Sequence, residues 1–444
     1  MNSIFPKHES RSLIIRAAYT KQTDLFYLLL LLPSICFIYW PVYKFDFLYG
    51  WDDQWFVTNH YTELGFSADN LYEILTNFHY GQYAPLNQLY YTLLYNLFGY
   101  NPAAFHVAGV CLHVVNIVLV YFFIDIIGEA VLKMPRGQVK QTAFMTALLF
   151  ALLPVNVEPV AWVAASKVTL YTGAYLAALI CYCRYLKTDS AMPFYGTILF
   201  FILSFAAKEQ AVLLPVCLLL IDYVYNRNFS KRIVWMEKLP FFILAVLFGI
   251  ITIKSQGFQS GERSFYSFYQ RVPLAFYTVS EYFTKCLIPV NLSYLVPFPF
   301  QIDDEVSPWL WIYVVTIPLI IYCFYKQIKR NRWLLFGLVF FFIHIVLVAN
   351  LFPLARFAIV ADRYAYLASI GLCLVAAYLF VYYMEKTQFQ AFVKGGVAVY
   401  AVTLMLYSMF HIEVWTNAWR LKKKLKYTIE HRPDYETIKK YNNE

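Results

Sequence analysis

The sequence predicts an all-α polytopic membrane protein, about eleven transmembrane helices with two long loops on one side, and three observations predict it. Of its 444 residues 60% are hydrophobic and 14% charged, against about 25% charged in ordinary soluble domains. Apolar runs recur along the whole chain, as in multispanning helical proteins. Lysine and arginine gather in short connections between those runs, where they set membrane orientation. The net charge of +9 is accounted for in that way, and no nucleic-acid partner is expected.

The first apolar run, near 25–41, is followed by no A-x-A cleavage site. It reads as a retained span, with Arg11, Arg16 and Lys21 holding the N-terminus in the cytoplasm. Further spans are predicted near 103–127, 141–155, 168–186, 191–207, 210–225, 238–254, 307–325, 333–352, 364–384 and 393–410. Several are shorter than the ~20 residues usually needed to cross. With the N-terminus inside, the cytoplasmic connections carry Lys133, Arg136 and Lys140, then Arg184 and Lys187, then Arg227, Lys231 and Arg232, then Lys326, Lys329, Arg330 and Arg332. The opposite side receives the loop from Asp46 to Tyr100 and a second one from Ser255 to Val306. Within the second, Arg271 to Leu287 has a helical rhythm and is expected to lie along the membrane interface. An odd number of spans puts the basic tail (Arg420, Lys422, Lys423, Lys424, Lys426) on the outer side, against the charge rule. Residues 1–411 form the membrane module and 412–444 a short basic tail.

All but one of the eight cysteines fall in apolar segments, with Cys286 assigned to a loop, and they read as packing residues. Cys181-Tyr182-Cys183 lacks the further ligands of a zinc site. His106, His113 and Asn116 share a face of the second span and suit interhelical hydrogen bonds.

The first outer loop carries the chemistry. Loops beyond roughly 12–15 residues are usually functional or disordered, and this one is too aromatic for disorder. It opens with Tyr49-Gly50-Trp51-Asp52-Asp53-Gln54 and continues to His79, Tyr80, Tyr83, Pro85 and Asn87. Ionisable residues also interrupt apolar sequence at the outer span ends: Glu158, Lys167, Lys208, Glu209, Asp362 and Arg363. Charges at such depth mark a substrate path or a paired functional site; Arg356 alone reads as an interfacial residue. Carboxylates facing cations at a membrane boundary suit sugar transfer from a polyprenyl-phosphate donor. Lys167, Lys208 or Arg363 would neutralise the departing phosphate, and a carboxylate would take the acceptor hydroxyl's proton. A single displacement of that kind inverts the anomeric centre. Trp51, Trp55, Tyr80 and Tyr83 offer stacking faces, and Glu158 and Glu209 polar contacts to substrate. A helix-cap or turn role for Asp52 and Asp53 is the competing reading.

Asp52-Asp53-Gln54-Trp55-Phe56-Val57-Thr58 resembles the D-D-x-x-x-x-T opening of the first loop in membrane glycosyltransferases of the GT-C superfamily. The likeness is greatest to the transmembrane and tetratricopeptide-repeat type of protein O-mannosyltransferase and its bacterial relatives. Tyr83-Ala84-Pro85-Leu86, Leu97-Phe98-Gly99-Tyr100-Asn101-Pro102 and the positions of His106, His113 and Asn116 are similar to the same family. Phe150 to Trp162 resembles its L-F-A-L-H-P-x-H-V-E-x-V-A-W block. Ala207-Lys208-Glu209-Gln210 with Leu214-Pro215 and Asp222-Tyr223 resembles another, and Ala361-Asp362-Arg363-Tyr364-Ala365-Tyr366-Leu367 the A-D-R-Y-x-Y-L block.

The resemblance covers roughly residues 50–370 in the family's order. It implies a GT-C bundle, a polyprenyl-phosphate sugar donor and a catalytic aspartate in the first outer loop, placed on Asp52 with Asp53 second. Ala84, Leu153 and Asn156 depart from the family, which often has Arg or His at the first position and His at the other two, so no contact from those side chains is carried over. Val414-Trp415-Thr416-Asn417 and Arg432-Pro433-Asp434-Tyr435 resemble the start of a tetratricopeptide repeat, which alone cannot bury its apolar face. The family places such repeats on the acceptor side.

The expectation is thus a glycosyltransferase in a bacterial inner membrane, its site extracytoplasmic and its acceptor a protein or glycan hydroxyl. A polymer ligase and a transporter or flippase are the alternatives; the latter predicts internal repeats and midplane charges. No cofactor is required by this chemistry, and a divalent cation held by Asp52, Asp53 and Glu158 stays open.

Overall fold

The computed structural model describes residues 7–130, 134–188, 190–257, 266–293, 295–302, 304–351, 358–386, 388 and 390–430. Lys133, Arg356 and the repeat-like residues from 431 onward lie outside them. Every regular element among the described residues is a helix, and the β pairing is confined to isolated bridges at His79–Gln82 and Val296–Val360.

Helix α1 (Lys7–Tyr39) enters the bundle. The first long loop, Asp46 to Tyr100, then folds into four short helices: α2 (Asp53–Phe56), α3 (His60–Glu63), α4 (Ala68–Thr76) and α5 (Pro85–Phe98). Local signals set their limits. The Asn59 side chain caps α3 and that of Ser67 caps α4. Pro85 occupies the first turn of α5, and Gly99 ends it at φ +59. What reads in the sequence as a loop is therefore a small helical layer.

The bundle continues with α6 (Pro102–Ala130), α7 (Arg136–Leu152), α8 (Val157–Ala161), α9 (Ser166–Tyr185), α10 (Met192–Ala207), α11 (Leu214–Val224), α12 (Arg232–Met236) and α13 (Leu239–Gly257). After α14 (Phe268–Leu287) of the second long loop come α15 (Trp311–Arg330), α16 (Arg332–Ile345), α17 (Tyr366–Lys386), α18 (Gln390–Ile412) and α19 (Ala418–Glu430). Helix α14 occupies the predicted stretch, fixed by a capping box at Ser267 and Gln270. It also contains Cys286, buried, which corrects that residue's assignment to a loop: the apolar rhythm of α14 runs to its last turn.

All eleven predicted apolar segments are helical, but they are not all of spanning length. Among the described residues seven helices are long and apolar enough to cross a membrane, or eight if the pair Arg136–Leu152 and Pro154–Ala161, bent by 59°, is one span. Met192–Ala207 and Arg332–Val348 are apolar but shorter. Pro215 and a preceding 3₁₀ turn over Glu209–Leu213 shorten α11.

Helices α6, α7, α9 and α17 form the interior, whereas α15 buries only 6% of its apolar window and α13 17%. Helices α16 and α17 cross at Gly337 and Gly371, where a Cβ on Gly337 would lie 2.5 Å from the Gly371 carbonyl oxygen. Close crossing at small residues is how helices associate where lipid supplies no hydrophobic drive. His113 Nδ1 lies 2.6 Å from the Tyr366 hydroxyl, and Asn116 donates to Thr169 O at 2.9 Å. The polar face of α6 thus makes the interhelical bonds expected of it.

The first long loop and the tail share one end of the bundle. Asp46 N donates to Thr416 O at 3.0 Å, Trp415 stacks on Trp162 at 5.6 Å, and Leu421 and Leu425 of α19 are buried. The other end carries paired charges: Asp24 with Lys140 at 2.5 Å, Asp125 with Arg136 at 2.6 Å, and buried Asp222 with Lys238.

Candidate active site at the loop end of the bundle

The site forms where α7 breaks. Pro154 stops that helix, and the chain bends through α8 and a 3₁₀ turn (Val163–Ala165) before α9 starts. This folded-back stretch is almost wholly buried; Trp162, the Ala164 amide and Lys167 meet the first long loop, and Glu158 meets Arg363. Tyr91 of α5 ties the loop to it, its hydroxyl 2.6 Å from Val163 O and 2.8 Å from Ser166 Oγ.

The two adjacent aspartates have different fates. Asp53 is fully buried. Its Oδ2 accepts from Leu48 N at 2.7 Å, and its Oδ1 from Ala164 N at 3.0 Å and Trp162 Nε1 at 3.1 Å. Burial pushes its carboxyl up to about 6, and the three donors restrain that rise. Asp52 is half-buried at the N-terminus of α2 without capping it. Burial raises its pKa above the ordinary aspartate value, while the charges of Lys167 and Arg363 pull it down. No side chain or amide among the described residues donates a hydrogen bond to its carboxylate, although its backbone carbonyl accepts from the Trp55 and Phe56 amides.

The cations are held by other partners. Arg363 donates to Glu158 Oε1 at 2.7 Å, its own amide reaches Glu158 Oε2 at 3.2 Å, and its guanidinium lies over Tyr364 at 4.9 Å and Trp162 at 5.6 Å. Lys167 Nζ donates to Gln82 Oε1 at 2.5 Å and sits 5.0 Å from the Phe56 ring centre. It is also within Coulombic reach of Lys208 and Glu209. Lys208, 4% exposed, lies 3.4 Å from Glu209 and 5.5 Å from the Tyr364 ring centre. Asp52, Lys167, Lys208, Glu209, Arg363 and Glu158 therefore converge from four separate segments.

Behind them, Asp362 pairs with Lys285 of α14 at 3.1 Å, and the Tyr282 hydroxyl bonds both polar groups of the Ala361 backbone. Helix α14 of the second long loop thus grips the turn that carries Arg363. The aromatic candidates divide. Tyr80 is exposed at φ 44 and lies 6.1 Å from the Trp55 ring. Trp51 packs against the core. Tyr83 donates its hydroxyl to Leu75 O at 2.9 Å and packs on Phe205.

Sequence reasoning missed Gln82, Phe56, Tyr364 and Lys285. Tyr364 was within reach, as the neighbour of Arg363 in the A-D-R-Y block; the others carry no sequence signal of the contact they make. Asp53 and Glu158 commit oxygens to the donors above, and no group of three His, Cys, Asp or Glu suited to a metal ion occurs among the described residues. No family model, no curated protein and no solved structure matches this chain.

Proposed function

We propose that the chain is an integral-membrane glycosyltransferase of the GT-C type, moving a sugar from a polyprenyl-phosphate donor to an acceptor hydroxyl on the extracytoplasmic face. One observation carries this reading: Asp52 lies within Coulombic reach of Lys167 and Arg363, while Lys167 bonds Gln82 and Arg363 bonds Glu158. An ion pair built for stability would close. Here Arg363 is held in place by Glu158 instead, which leaves the carboxylate of Asp52 for an incoming proton.

In the proposed reaction the acceptor oxygen attacks the anomeric carbon while Asp52 takes its proton, and the bond to the phosphate oxygen breaks. That phosphate departs toward Lys167, Lys208 and Arg363, whose charges stabilise it. Attack opposite the leaving group inverts the anomeric centre. Asp53 is a positioning residue, fixing α2 against the bend that carries Lys167. The lipid tail would lie among the outward-facing helices, and the eleven apolar helical segments would be the GT-C bundle.

Asp52→Asn tests the reading. General-base loss removes typically ~10²–10⁴-fold in rate, and substitution of a half-buried carboxylate that accepts no hydrogen bond among the described residues leaves the fold intact. Mass spectrometry of glycoproteins and glycolipids from cells lacking the protein, complemented with either form, should show a glycan restored by the native chain alone. Restoration by Asp52→Asn at equal expression removes Asp52 from the base role.

A further inference from the structure

We infer that α19 is a docking surface for the anionic phospholipid headgroups of the surrounding bilayer, a role that holds whether or not the chain transfers sugar. Two segments long and apolar enough to span, Gln22–Lys44 and Gln390–Trp415, end side by side, pinned by the bond from Asp46 N to Thr416 O at 3.0 Å. Both ends carry exposed aromatic rings beside a lysine. Trp40 and Tyr43 are exposed, and Lys44 Nζ lies 5.2 Å from the Tyr43 ring centre. Just past the other end Trp419 is 67% exposed, with Lys423 Nζ 5.1 Å from its ring centre. Exposed tryptophan and tyrosine at span ends mark the level of the headgroups, so α19 begins at that level.

The helix has two faces. Leu421 and Leu425, one turn apart, are buried and hold it to the body of the protein. On the opposite side Trp419, Lys423 and Lys426 line up at helical spacing, with Arg420, Lys422 and Lys424 on the flanks, all of them exposed. Charge then decides the occupant. Arg420 lies 3.2 Å from Glu413, and Lys426 lies 3.7 Å from Glu430. Lys422, Lys423 and Lys424 form no ion pair with a carboxylate among the described residues. A cluster of lysines and arginines on an amphipathic helix next to a span is drawn to an anionic lipid surface. The bare indole fits the same place, since tryptophan is favoured where one end of the ring is apolar and the other wet. A face turned only to water would have the charges without a use for that ring.

The test follows amide hydrogen exchange in the full-length protein at low ionic strength. It compares nanodiscs of phosphatidylcholine alone with an equal mixture of phosphatidylcholine and phosphatidylglycerol of the same acyl chains. Amides of α19 should exchange at least about fivefold more slowly in the anionic nanodiscs, the effect of a single lysine near such a surface. Those of α4, which carries Asp69 and Glu73 and no lysine or arginine, should not change. About 0.5 M salt should erase the difference. The triple variant Lys422→Gln, Lys423→Gln, Lys424→Gln should erase it too, whereas arginine at the same three positions should keep it. Exchange in α19 that ignores the lipid, including the equal protection that a second copy of the chain seated on it would give, overturns the inference. So does equal slowing in α4, or a difference that survives salt or the glutamine variant. Should that variant fail to fold, the salt titration of the native chain decides alone.

Discussion

Removing the guanidinium of Arg363 should destabilise the protein far more than neutralising the carboxylate it serves. Glu158 is fully buried, and the Arg363 side chain is 18% exposed at 2.7 Å. At that distance and an effective dielectric constant near 20 the gross attraction is about 6 kcal/mol. Most of it is offset by the cost of taking both ions out of water. Arg363→Met strands a buried carboxylate with one backbone donor, a loss of roughly 3–5 kcal/mol. Glu158→Gln keeps an acceptor for that donor and leaves a partly exposed guanidinium able to reach water, a loss of roughly 1–2 kcal/mol. The double variant holds neither charge and should recover most of the difference. Intrinsic tryptophan fluorescence during heating in nanodiscs reads all four proteins. The order of melting temperatures is the readout, since a chain of many spans need not unfold in one step. Native first, Glu158→Gln and the double variant close together, and Arg363→Met clearly last is the expected order. A double variant no better than Arg363→Met alone would falsify the coupling.

The acid limb of activity should follow Asp52. The base works ionised, so kcat/KM falls as pH drops through its pKa, above the ordinary aspartate value because burial outweighs the neighbouring cations. Lys167→Gln removes one of those cations and should move the midpoint to higher pH; an unmoved midpoint with lower activity assigns Lys167 to phosphate alone. Gly371→Leu drives a side chain into the Gly337 carbonyl and the Phe341 amide, and should reduce folded protein recovered in detergent severalfold, whereas Gly395→Leu, with open space around it, should not.

The chain shows its architecture plainly because lipid permits so few solutions: apolar runs become helices, and every predicted run did. Lengths were less legible. Pro154 and Pro215 each fall inside a continuous apolar stretch, and a hydropathy reading takes the stretch as unbroken where the backbone bends or tightens. The charged side chains of the site could be read because apolar sequence surrounds them. Their neutral partners could not: Gln82 and Phe56 are ordinary residues in a polar, aromatic loop, and only the fold brings them to Lys167. The aspartate pair marks the limit most sharply. Successive residues at a helix start point in different directions, so one of two adjacent carboxylates is buried, and composition cannot say which.

That division of labour explains how the site keeps opposite charges close without collapse. Asp53 takes donors from Leu48, Trp162 and Ala164, and so fastens the start of α2 to the bend after α7. Trp162 then lies beneath Arg363 and stacks on Trp415 of the tail. Glu158, from the same bend, holds the guanidinium, while Lys285 and Tyr282 hold the turn behind it. Each ion nearest Asp52 is thereby anchored to something else. With Gln82 on Lys167 and Glu158 on Arg363, neither cation needs to cross toward the carboxylate to be satisfied. Catalysis by the proposed route requires that separation, since a base already locked in an ion pair could not receive the acceptor's proton.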